Sequence, residues 1–234
     1  MRLLWTLVIA GLLAAPAFGS DGASCTLPGE LVSEDATGDA ADPAAGAVPD
    51  PLAQHDVQGV YVAEPPGSDR IYFSIKVASL DPIPPQSQYY VRFVLSDGLE
   101  YFVAFDPYAP PGEDAYTLGR RDPPATPGTS GSLTTIGPAD EGTNSADGFV
   151  TWGIRKDRLG LEEGGTLESV FGQARVSLVA VVSSVDESPQ GYYALNGGAG
   201  CSGVKQGSGA LVTGAVPAAT LLLLGLAALG RRRR

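Results

Sequence analysis

Two β-rich runs, Tyr90 to Leu95 and Glu100 to Phe105, flank Ser96-Asp97-Gly98-Leu99, and no other feature restricts the fold of this chain as much. An Asp-Gly pair tolerates the positive φ of a tight turn, so the two runs are expected to close an antiparallel hairpin. With Asp97-Gly98 as a two-residue loop, Phe93 would lie opposite Phe102 and Val91 opposite Ala104. The other face would then carry Tyr90, Arg92, Val94, Tyr101, Val103 and Phe105.

The rest of the central region reads the same way. Val57 to Val62 and Ile71 to Val77 are separated by Pro65-Pro66-Gly67-Ser68-Asp69, and Ile71, Phe73, Ile75 and Val77 alternate onto one face. Further strand signals lie at Leu133 to Ile136, Phe149 to Ile154, Ala174 to Val185 and Gly191 to Leu195. Between Asp106 and Gly131, recurrent prolines and glycines leave room for only a short strand at Ala115 to Leu118. Short strands, frequent turns and no long amphipathic helix predict an all-β chain, a single antiparallel β-sandwich of jelly-roll or immunoglobulin-like type.

The two ends are of another kind. Met1-Arg2, an apolar run from Leu3 to Ala15 and the small residues Ala15-Pro16-Ala17 have the three parts of a cleavable signal peptide, residues 1–17. Near the other end, residues 208–230 are uncharged and densely apolar, long enough for a transmembrane helix, and Arg231 to Arg234 follow. The positive-inside rule puts those arginines in the cytoplasm and everything between the apolar segments outside, so a cell-surface, single-pass protein is expected. Between them the chain divides into an acidic lead-in over 18–55, a sandwich domain over 56–200 and a linker over 201–207.

All 26 acidic residues lie between the apolar ends, whereas five of the 15 basic ones, Arg2 and Arg231 to Arg234, do not. The outer part therefore carries a charge of −16, which repels nucleic acid phosphates and excludes that class of partner. Its two cysteines, Cys25 and Cys201, sit near its two ends, in a compartment where disulfides persist, and are expected to pair.

Asp35, Asp39, Asp42, Asp50 and Asp56 are hard oxygen donors gathered within one short stretch, a set suited to Ca²⁺, or alternatively a solvated acidic linker. Asp140 to Gly148 is a second acidic turn and reads as a hairpin connection. Tyr90, Arg92, Tyr101 and Phe105 form a candidate ligand face, rings beside a cationic fork that could stack on and hydrogen-bond a saccharide; alternatively the rings pack between the sheets. For catalysis, Ser-His-Asp chemistry would have to use His55, the only histidine, and no nucleophile elbow occurs. A non-catalytic binding module is the expectation, with a self-associating structural or adhesive surface protein as the alternative.

Asp35-Ala36-Thr37-Gly38-Asp39, Asp56-Val57 entering a strand, Asp69-Arg70-Ile71-Tyr72-Phe73 and Val150-Thr151-Trp152-Gly153-Ile154-Arg155-Lys156-Asp157-Arg158-Leu159-Gly160 occur in that order. This order resembles the extracellular sandwich modules of the family 9 carbohydrate-binding, DOMON-like and glucodextranase C-terminal type. The resemblance implies a calcium ion near the Asp-x-x-Gly-Asp leader and sugar binding on a sheet face or at strand-end loops. From Val216-Pro217 onward, a hydrophobic segment and terminal arginines resemble the PEP-CTERM sorting tag, which implies a sorting protease as a partner.

Overall fold

A computed structural model describes residues 25–42, 48–49, 52–124, 131–178 and 181–195. The expected signal peptide, Asp50, Cys201 and the apolar segment 208–230 lie outside the described residues, and of Asp42 only the backbone is described. No helix among the described residues is long and apolar enough to cross a membrane.

Fourteen strands are described: β1 (Glu30–Glu34), β2 (Ala41–Asp42), β3 (Val48–Pro49), β4 (Val57–Ala63), β5 (Arg70–Val77), β6 (Ser87–Val94), β7 (Glu100–Phe105), β8 (Tyr116–Arg121), β9 (Leu133–Pro138), β10 (Glu141–Asn144), β11 (Phe149–Arg155), β12 (Thr166–Leu178), β13 (Val181–Glu187) and β14 (Gly191–Ala194). They form two main antiparallel sheets. One runs β1-β4-β5-β11-β10; the other runs β13-β12-β6-β7-β8-β9, with β14 also paired to β12.

The sheets meet face to face because alternation points one apolar row of each at the other. Ile71, Phe73, Ile75 and Val77 from β5 and Val150, Trp152 and Ile154 from β11 are fully buried, as are Tyr89, Val91 and Phe93 from β6. Phe73 and Phe93 stack across the interface at 4.5 Å, and the Trp152 indole Nε1–H donates to the Ala104 carbonyl of β7 at 2.8 Å. At Gly172 an added Cβ would come within 2.8 Å of Val60 and 2.9 Å of Ile75, so glycine lets β12 approach the opposite sheet.

Three expectations change. The five-stranded sheet begins at Glu30, inside the stretch read as a lead-in, because β1 adds to the edge of β4. The run Ala174 to Val185 is not one strand: β12 starts at Thr166, and β13 pairs back on it. The third change is the hairpin register. Phe93 faces Tyr101 and Val91 faces Val103, one residue away from the expected pairs. Leu95 and Leu99 close the turn through Leu95 N–H to the Leu99 carbonyl, with Gly98 at φ +75°, so the loop is three residues, Ser96-Asp97-Gly98. A shift of one residue moves a strand's side chains to the opposite face relative to its partner.

Candidate functional site

That register separates the four residues expected to share a ligand face. Tyr101 and Phe105 point with Phe93 and Tyr89 toward the core side, where Phe105 stacks on Tyr116 at 4.6 Å and the Tyr101 ring lies 6.2 Å from Phe93. Phe105 is buried and cannot present its ring. Tyr90 and Arg92 remain on the outward face, with Phe102 and Ala104 of β7 and with Phe171, Gln173 and Arg175 of β12.

This outward face is a connected layer of rings and polar groups. Arg92 pairs with Glu100 through Nε and Nη2, and Glu100 also holds Arg121 at 3.2 Å. The Arg92 guanidinium lies 5.2 Å over Phe171, and that of Arg175 lies 5.1 Å over Tyr90, both within cation–π range. Tyr90 donates its hydroxyl proton to Gln88 at 3.0 Å, and Gln88 donates in turn to Asp106 at 2.7 Å. Burial raises the Tyr90 phenol above its ordinary range against the pull of Arg175. Phe102 tilts against Tyr90 at 5.7 Å, its ring over Gly119, where a Cβ would sit 2.1 Å from the ring. Gly119 therefore makes room for Phe102. Sequence reading missed Phe102, Phe171 and Arg175 because their membership depends on the register and on the start of β12.

A second cluster joins the two sheets. Carboxylate oxygens of Asp35, Asp39 and Asp186 all lie within 4.8 Å of one another. Asp35 follows β1, and Asp186 is on β13 of the other sheet. Asp56, just before β4, accepts the Gly38 N–H at 2.6 Å and adds its charge to the field at Asp35. Asp186 accepts the Val57 N–H at 2.7 Å and the Glu187 N–H at 3.0 Å. Even so, burial, with repulsion from Asp35 and Asp39, raises its carboxyl to about 7. Burial raises Asp35 as well, and its Oδ2 is shielded from water with no hydrogen-bond donor. Oxygens about 2.4 Å from one ion can be no more than about 4.8 Å apart, a limit these three carboxylates meet. Of the residues expected to bind calcium, Asp35 and Asp39 converge, Asp56 stands beside them, and Asp186 was not foreseen.

His55 meets a hydroxyl: its Nε2 lies 2.8 Å from Ser87 Oγ. That separation would suit a base and a nucleophile. Ser87, however, is 0% exposed and His55 is buried, so the pair is a hydrogen bond of the interior. Two surface hollows are described elsewhere. One is lined by Leu27, Phe149, Thr143 and Thr151, the other by Ser96, Glu162, Glu163, Thr166 and Leu195.

No protein-family model matches this chain, and no curated protein and no solved structure matches it.

Proposed function

We propose that this chain is a non-catalytic cell-surface binding module that recognises carbohydrate on the outward face of the β6–β7–β12 sheet and is stabilised by Ca²⁺ at Asp35, Asp39 and Asp186. The observation that carries the reading is the layer formed by Tyr90, Arg92, Phe102, Phe171, Gln173 and Arg175, turned away from the core. A sheet face solvated only for solubility needs no rings; here the rings hold guanidinium planes, and planar donors suit a sugar's hydroxyl groups. Ca²⁺ would tie β1 and the start of β4 to β13, giving this face a fixed support. The segment 208–230, with Arg231 to Arg234 inside, would hold the module at the membrane until a sorting protease acts on it.

The test is glycan-array binding by the full-length protein in non-ionic detergent. Tyr90→Ala and Arg92→Ala should each lower binding at least tenfold, whereas Tyr192→Ala, at an exposed ring on β14, should not. Unchanged binding by both face variants, with melting temperatures intact, overturns the reading.

Self-association as a surface or matrix protein is the second reading. It is supported by β9 and β10, consecutive strands that form the outer edges of the two sheets, with Ile136 half exposed on one and every residue of the other exposed. Sedimentation of the full-length protein separates the readings, since self-association predicts concentration-dependent oligomers without added glycan.

A further inference from the structure

The two arginine–ring contacts on the outward face decide what it presents. Stacking of a neutral sugar needs an open aromatic plane, yet the Arg175 guanidinium lies over Tyr90 and that of Arg92 lies over Phe171. Phe102 is buried beneath its neighbours. The rings therefore hold guanidinium planes in place, and those planes carry N–H donors.

Three carboxylates of the same face are already engaged, while Glu168, in register with Val94, is exposed. Glu100 is shared between Arg92 and Arg121, one acid for two bases. Asp106 accepts from Gln88 and from the Tyr108 N–H, and Glu187 accepts from Gln173. Arg175 hydrogen-bonds Tyr90 but has no carboxylate partner among the described residues, and its Nε is shielded from water with no hydrogen-bond acceptor. A buried donor of a charged group without an acceptor is costly unless a ligand supplies one. Arg92, Arg121 and Arg175 share this face with Glu100, Asp106 and Glu187, and of the three arginines Arg92 and Arg121 are ion-paired, both to Glu100.

We infer that the outward face binds an anionic saccharide, with the Arg175 and Arg121 guanidiniums receiving its carboxylate or sulfate oxygens. Arg92 is a positioning residue, held by Phe171 and Glu100. A planar guanidinium matches the two oxygens of either oxyanion, and charge-assisted hydrogen bonds are about twice as strong as neutral ones. The inference rests on the carbohydrate reading above and adds the ligand's charge. Elsewhere the acidic surface repels a polyanion, so binding is confined to this face.

The experiment is affinity electrophoresis of the full-length protein in non-ionic detergent, through gels carrying polygalacturonate, dextran sulfate or neutral dextran. Retention by either polyanion, absent with dextran, is expected, and the two polyanion arms separate carboxylate from sulfate recognition. Arg175→Gln should weaken retention at least tenfold, and Arg175→Lys should restore only part of it, because an ammonium keeps the charge but not the fork. Arg155→Gln, at an exposed pair with Asp157, should leave retention unchanged. Melting temperatures of all variants establish that each is folded. Equal loss with Arg155→Gln means ion exchange and overturns the inference. Retention by dextran that Arg175→Gln does not alter also overturns it, while the carbohydrate reading stands. No retention in any gel removes both.

Discussion

Asp186 on β13 accepts the backbone N–H of Val57 on β4 at 2.7 Å, so one carboxylate joins the two sheets while facing Asp35 and Asp39. Because the folded state raises this carboxyl from 3.8 to about 7, the folded protein holds a proton there that the unfolded chain releases. Stability from this group is therefore full at low pH and falls as pH rises from about 4 to about 7. On the proposed Ca²⁺ reading, a divalent cation would replace the proton. In EDTA, the melting temperature of the full-length protein should fall between about pH 5 and 7.5, and millimolar Ca²⁺ should remove the fall. Asp186→Asn should abolish both responses in scanning calorimetry. A Ca²⁺-independent melting temperature at pH 7.5 would count against the cation site.

Glu64, at the end of β4, is 1% exposed; it pairs with Lys156 at 2.7 Å and accepts the Tyr193 hydroxyl at 3.1 Å. This network fastens the short 3₁₀ turn at Lys156–Leu159 and β14 to the five-stranded sheet. Removing the cation while the carboxylate stays buried costs more than removing both. Lys156→Met should destabilise by about 3–5 kcal/mol in urea unfolding, and Tyr193→Phe by about 1 kcal/mol. The double variant Glu64→Gln/Lys156→Met should be more stable than Lys156→Met alone.

Gly98 and Gly119 separate two reasons for glycine. At Gly98, φ is +75° and nothing lies within 4 Å of an added Cβ, so Gly98→Ala should cost about 1 kcal/mol through backbone strain alone. Asn tolerates that conformation and should cost less. At Gly119 the obstacle is the Phe102 ring, so Gly119→Ala should displace Phe102 and weaken polysaccharide retention as well as stability. Paired urea and gel-retention measurements distinguish the two, since Gly98→Ala should change only the first.

What the sequence disclosed follows the same division. Period-two burial is written directly into Ile71, Phe73, Ile75 and Val77, and that strand lies where it is expected. The hairpin was legible, but its register was not. Asp97-Gly98 fits a two-residue or a three-residue loop, and both faces carry apolar residues, so alternation could not choose. The first half of β12 was hidden because Glu168, Ser169, Gly172 and Gln173 interrupt its apolar pattern, with Ser169 at a bulge and φ +50°. Asp186 was invisible as a partner of Asp35 because only the pairing of β13 with β12 and the packing of the sheets bring it there. A carboxylate inside the β-rich run Val185-Asp186-Glu187 was the one available signal.

Trp152 gives a direct reading of the packed interface. The chain has two tryptophans, and Trp5 lies in the expected signal peptide, so cleavage would leave Trp152 as the only indole in the mature protein. It is fully buried and donates to Ala104 across the sheets. Its emission should be blue-shifted in the folded state and move to the red on unfolding, in step with loss of far-ultraviolet β signal if both sheets unfold together. Trp152→Phe leaves a smaller ring and removes the donor, and should cost about 2–4 kcal/mol. Trp152→Ala should cost at least as much, because the neighbouring rings cannot close the space left by an indole. A folded-state emission maximum like that of free tryptophan would show that the two sheets do not close over Trp152.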